Sequence, residues 1–144
     1  MSKKIIWAIT IAIILIVGGF LYTKNSSVNK HQGLAIEQPT INQEVKLPLT
    51  IKGEINGNGW TAFEGVVGSV QLFDENGKEI TERTPLQATE DWMQTVVHFE
   101  TTIGDAGTMK KISTQTGVLV FKNENTKGDS ADDKEFRLPI KFTK

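Results

Sequence analysis

Cysteine is absent from the 144 residues, and histidine stands only at positions 31 and 98. The first absence excludes disulfides, thiolate metal sites, a cysteine nucleophile and thiol redox motifs. The second leaves little material for imidazole chemistry. His31 falls in a polar stretch with no second coordinating residue near it, and His98 falls on the polar face of a strand beside Val96 and Glu100. No G-x-S-x-G nucleophile elbow is present. A basic patch with interleaved aromatics is missing too. From His31 onward 12 Lys and Arg face 17 Asp and Glu, so this part carries about −5 before histidine. Nucleic acid is therefore excluded as an expected partner, because binding a phosphate backbone needs the opposite sign. The acidic balance favours solubility.

What the chain does have is one long apolar run. Ile5 to Tyr22 is uncharged, and Thr10 is its only clearly polar member. As a helix it would reach roughly 27 Å, close to the ~30 Å hydrocarbon core of a bilayer. Lys3 and Lys4 precede it with no acid among them, so the positive-inside rule puts residues 1–4 in the cytoplasm and the rest outside. The rival reading is a cleaved signal peptide with a site near Val17-Gly18-Gly19. An apolar region longer than the usual signal and the continuation through Phe20, Leu21 and Tyr22 favour an uncleaved anchor. Residues 23–33, TKNSSVNKHQG, show neither helical nor strand period and read as a flexible linker.

Residues 34–144 read as one β domain of about 110 residues, enough for a core without staples. Leu34 to Glu37 is a short strand stopped by Pro39. Val45, Leu47, Leu49, Ile51 and Ile55 share one face of the next, with Lys46, Thr50, Lys52 and Glu54 on the other. Pro48 cannot donate to a ladder, which places it at an edge or a bulge. Trp60 to Phe73 forms one or two strands broken near Gly65 and Gly68, with Val66, Val70 and Leu72 in phase. Asp74-Glu75-Asn76-Gly77 is a hairpin turn into a polar strand over Lys78 to Arg83, ended by Thr84-Pro85. Glu90 to Met93 opens the next element, through which Val97, Phe99, Thr101 and Ile103 alternate, and Gly104 to Lys111 is a loop. Val118 to Phe121 is apolar throughout, hence central. The last strand turns Phe136, Leu138, Ile140 and Phe142 inward. Seven or eight short strands with no helix beyond the anchor predict an all-β antiparallel sandwich.

The polar constellations have plain readings. Asp129, Asp132, Asp133 and Glu135 match no calcium-loop spacing and read as a solvated loop. Glu64, Glu90 and Asp91 could suggest paired-carboxylate glycoside hydrolysis, but a small sandwich leaves little room for the cleft it needs. They read instead as turn caps and surface pairs. Trp60, Phe63, Phe73, Trp92, Phe99, Phe121, Phe136 and Phe142 read as core and core-edge aromatics. Trp60 and Trp92 are the two that could form a sugar platform if exposed.

The exported part resembles the immunoglobulin-like domain of bacterial spore-germination proteins, the family that often accompanies GerM-type domains. The resemblance runs from Ile36 to Phe142. It is carried, in order, by Pro39, Val45-Lys46-Leu47-Pro48-Leu49-Thr50-Ile51-Lys52-Gly53, Phe63-Glu64-Gly65, Asp74-Glu75-Asn76-Gly77 and Asp91-Trp92-Met93 with Phe99. Gly117-Val118-Leu119-Val120-Phe121-Lys122, Asn125 with Gly128, and Leu138-Pro139-Ile140 complete it. Asn125-Thr126-Lys127-Gly128 departs from the family's Asn-Pro-Ser-Gly. The resemblance implies an Ig-like sandwich outside the cytoplasm with an interaction or adhesion role, in a setting of sporulation or germination, though a role in germination itself does not follow from it.

The expected protein is thus a single-pass membrane protein with its Ig-like domain outside, binding another envelope protein or a cell-wall polymer. It is expected not to be an enzyme, and no catalytic, cofactor or metal residue is assigned. The alternatives are a cell-envelope carbohydrate-binding or hydrolytic domain using Glu64, Asp91 and the tryptophans, and a structural subunit pairing through edges near Pro48 and Pro139.

Overall fold

Period-2 alternation around Leu49 to Ile55 organises the architecture. Leu49, Ile51, Gly53 and Ile55 are buried while Thr50, Lys52 and Glu54 face partly into solvent, so one face of the strand is core and the other wet. The computed structural model describes residues 29–123 and 134–143. The apolar run Ile5 to Tyr22, Asn125 to Gly128, and Asp129, Asp132 and Asp133 lie outside them. Among the described residues no helix is long and apolar enough to cross a membrane.

The elements in chain order are β1 (Asn29–His31), β2 (Leu34–Gln38), β3 (Glu44–Val45), β4 (Leu49–Ile55), β5 (Val66–Asp74), β6 (Thr84–Ala88), β7 (Val97–Ile103), α1 (Ala106–Lys110), β8 (Thr116–Asn123) and β9 (Lys134–Phe142). Hydrogen bonding runs β1-β2-β4-β7-β6-β5-β8-β9-β3. β2, β4 and β7 form one layer, β5, β8 and β9 the other, and β6 pairs with both β5 and β7. Every pairing is antiparallel except that of β3 with β9.

Twenty buried apolar residues form one cluster between the layers. At about 1.5–3 kcal/mol for each large side chain removed from water, this core outweighs the ~2–4 kcal/mol of a typical disulfide, so the layers need no bridge. Gly53 and Phe99 are cross-strand partners. A β-carbon on Gly53 would lie 2.3 Å from the Ala35 carbonyl oxygen and 2.7 Å from the Phe99 ring, so the aromatic ring occupies the space the glycine leaves. Trp60 is wholly buried, and its indole N–H donates to the Val67 carbonyl at 2.7 Å.

Several expected boundaries move. The expected linker ends early, because Asn29–His31 pairs with His31 opposite Leu34 at the start of β2. The single strand expected across Val45 to Ile55 is two strands in opposite layers, β3 against β9 and β4 between β2 and β7. Pro48 lies between them, where no ladder needs its missing N–H. The inward phase survives because both layers point at the same core. In β5 the buried residue is Val67, not Val66. Register with β6 slips between Val66 and Ser69 around Gly68, whose φ is 136°, and this bulge puts Val67 and Val70 on one face. Lys78 to Arg83 is not a strand; Thr84-Pro85, expected to end one, begins β6. Glu90 to Val96 precedes β7 as loop. The expected loop at Gly104 contains α1, capped by Asp105, whose Oδ1 accepts from the Thr108 N–H at 2.6 Å. Met109 and Ile112 then pack against the core. Nine strands are described rather than seven or eight, the additions being the very short β1 and β3.

The β8 and β9 expectations match the structure: β8 lies between β5 and β9, with Leu119, Val120 and Phe121 buried, and Leu138, Ile140 and Phe142 point inward. Phe136 is only half-buried. It stacks on His31 at 5.2 Å and lies 6.0 Å from Phe121, closing the side of the sandwich between β1 and β9.

The Gly53 contact makes a direct prediction. Gly53→Ala meets a backbone carbonyl that only moving β2 can relieve, and overpacking of this kind costs about 1–3 kcal/mol. Urea unfolding should show a lower midpoint at unchanged slope. An unchanged midpoint would mean that β2 yields freely there.

Candidate functional site

Two groups of outward residues stand apart from the rest of the surface. The first is apolar and lies on loops. Phe63 and Val66 bond each other through both backbone N–H groups, at 2.8 and 2.9 Å. The tight turn this makes puts Glu64 in the left-handed region at φ 49° and leaves Phe63 52 % exposed. Asp91 Oδ1 accepts from the Met93 N–H at 3.0 Å, turning the chain so that Met93 is 74 % exposed. Phe63 meets Trp92 edge-on, ring centroids 6.2 Å apart. Trp92 packs inward against the core, and Val96 in the same loop is exposed. Beside Phe63 runs an open groove of about 460 Å³ lined by Ala62, Phe63, Val66 and Pro85, with Arg83 and Lys122 supplying positive charge.

The second group is polar and sits on the outer face of β2, β4 and β7. Glu54 and His98 are directly opposite across β4 and β7. Register between β2 and β4 slips between Ile36 and Gln38, so Glu37 is the extra residue of a bulge. Donor atoms of Glu37, Glu54 and His98 all fall within 4.8 Å of one another. Glu90, from the loop before β7, accepts the His98 backbone N–H at 3.1 Å and the Nδ1–H of its ring at 2.6 Å. His98 Nε2 lies 3.5 Å from Glu54.

These contacts set the charge states. The hydrogen bond to the Glu90 carboxylate raises the His98 pKa above the ordinary histidine value, slight burial opposes this, and the charges of Glu90, Glu54 and Glu37 add to the rise. Glu90 is held below the usual carboxylate range, first by the His98 ring and then by its backbone N–H. His98 therefore stabilises the fold below its unfolded-state pKa and loses that contribution as pH rises through the higher folded value. Glu90 contributes above its unfolded-state pKa and loses it as pH falls through the lower folded value. The pair acts between those limits.

The residues singled out in the sequence separate accordingly. Trp60 is no sugar platform, since it is completely buried. Glu64 is exposed in its turn and Asp91 caps its own loop, while among the described residues the groove beside Phe63 is lined by no carboxylate. Glu135, the described member of the acidic cluster, accepts from Arg137 Nε at 2.7 Å and pairs with Lys122 at 3.4 Å. Pro139 is no free edge, because its carbonyl accepts from the Asn42 N–H at 2.7 Å. The His98 group went unread because its members are 61 residues apart along the chain, from Glu37 to His98. Only the alternation that turned Glu54 and His98 outward was visible.

The layers β2-β4-β7-β6 and β5-β8-β9 reproduce the A-B-E-D and C-F-G order of the immunoglobulin fold, and this defines the class. The inter-layer disulfide of antibody domains has no counterpart. The family model for the immunoglobulin-like domain of bacterial spore germination matches residues 34–130, more than half of the chain, and the chain belongs to that family. β9, which pairs along the whole of β8, lies entirely beyond the matched residues. No curated protein and no solved structure gives a match.

The Glu90 contact is testable by titration. In chelator-containing buffer, Glu90→Gln should move the NMR titration midpoint of His98 down toward the ordinary histidine value. An unmoved midpoint would mean that the bond is not made in solution.

Proposed function

We propose that the chain is a membrane-anchored module acting outside the cytoplasmic membrane, where its Ig-like domain binds another protein of the bacterial envelope in germination-related assembly. The observation that carries this reading is exposed Phe63, which lines a groove and meets Trp92 edge-on, with exposed Met93 next to Trp92 in the chain. Large apolar side chains gathered at a surface favour a partner that removes them from water. A Met on a mobile-rotamer side chain beside an anchored Trp suits a shaped protein surface better than a flat polymer. Membership in a germination family supports the setting. The uncharged run Ile5 to Tyr22 supports the anchor. The reading carries no catalytic step.

Immobilised full-length chain, tested against envelope extracts, should retain a protein that the double variant Phe63→Ser with Met93→Ser retains at least tenfold less well. Both side chains are half or more exposed, so the variant's thermal midpoint should stay within a few degrees of the parent. Equal capture by both forms would remove the patch from the interface, and retention of glycan alone would favour a carbohydrate binder. Independently, the chain should stay with membranes through alkaline carbonate extraction and leave them when residues 5–22 are deleted.

A further inference from the structure

The His98 group has a feature that the proposed binding role does not use. Glu90 fixes His98 through Nδ1 and through the backbone N–H of the same residue. That leaves Nε2 directed toward Glu54, with a Glu37 oxygen inside the same 4.8 Å circle. Among the described residues, no Lys or Arg pairs with Glu37 or Glu54. Lys52, the cation next along β4, pairs with Glu100 at 2.9 Å. A Glu54 oxygen thus faces Nε2, and Glu37 offers a second carboxylate within 4.8 Å of the group, with no Lys or Arg paired to either among the described residues.

We propose that Glu37, Glu54 and His98 form a binding site for a divalent ion of the zinc type. Nitrogen and carboxylate oxygen in a one-to-two ratio suit zinc, whereas calcium and magnesium take oxygen alone. Donors around a tetrahedral zinc stand about 3.3 Å apart, given bonds of about 2.0–2.1 Å. Rotation of the Glu37 and Glu54 side chains, the first exposed and the second half-buried, would bring the present spacing toward that value. Glu90 is the positioning residue. A carboxylate on the far ring nitrogen fixes the tautomer that presents Nε2 and increases its basicity, the usual outer partner of a metal-bound histidine. The fourth position is left to water. Bound ion would tie β2, β4 and β7 together on their solvent side, across the bulge at Glu37.

The test uses the full chain purified without a polyhistidine tag. Calorimetric titration with Zn²⁺ should show one saturable site per chain. His98→Gln and Glu54→Gln should each weaken it at least tenfold, and Glu90→Gln should weaken it by about tenfold, as outer-partner losses do. His31→Gln should leave it unchanged. In the unaltered chain Zn²⁺ should shift the His98 ring resonances, a reading that no variant's folding can confuse. The proposal is overturned if Zn²⁺ shows no saturable uptake, if His98→Gln binds within twofold of the parent, or if the His98 resonances do not move at saturation. Ca²⁺ binding that survives His98→Gln, with no Zn²⁺ site, would equally overturn it.

Discussion

Two layers with no disulfide between them are held by the side chains each directs inward, with β6 pairing to both at one side, and the inward packing shapes much of the rest of the domain. The inward positions are aliphatic or aromatic from Leu34 to Phe142, and they meet in one cluster. A close-packed interior tolerates neither voids nor overlap, so the chain bends to its demands in particular places. Gly53 gives up a side chain so that Phe99 can cover it. Gly68 takes a φ of 136° so that Val67 and Val70 both turn in. Trp60 enters the core only because the Val67 carbonyl receives its N–H, since an unpaired indole donor would be costly there.

The outward positions answer to no such demand, which is why both groups with functional character are found there. Glu54 and His98 lie on the face of β4 and β7 that the core leaves open, and the loops at Phe63 and Trp92 extend beyond the ladders. The two are built differently. The polar group rests on paired strands, with ring and carboxylates held in register, whereas the apolar patch rests on two turns stapled by backbone bonds. A rigid sheet suits a site needing fixed donor spacing, and loops suit a surface that adapts to a partner.

Periodicity made the strands readable wherever one face was core and the other water. The alternations at Leu49 to Ile55, Val97 to Ile103 and Phe136 to Phe142 were legible for that reason, and so was the hairpin at Asp74 to Gly77. Errors arose where a local rule was overridden by pairing elsewhere. Residues 29–31 carry no strand pattern of their own and are ordered by β2. Pro48 separates two strands whose shared inward phase made them look like one. Lys78 to Arg83 resembled a strand, but it meets β5 only in a single bridge at Glu79 and a few bonds to Leu72 and Asp74, and the regular ladder with β5 starts at Thr84. The helix at Ala106 to Lys110 was read as loop because five residues are too few to show a helical period.

The sequence by itself determined the fold class, the lack of disulfides and the family, because all of these follow from composition, alternation and ordered local motifs. It also determined that Ile5 to Tyr22 is long and apolar enough to span a bilayer as a helix. Only the tertiary structure decided which outward residues meet. Phe63 reaches Trp92, and Glu37 reaches Glu54 and His98, through cross-strand register, and register depends on turns, bulges and packing summed over the whole chain. A slip of one residue in β4 would send Glu54 to the other face and break up the group, while the run of residue types would still read the same.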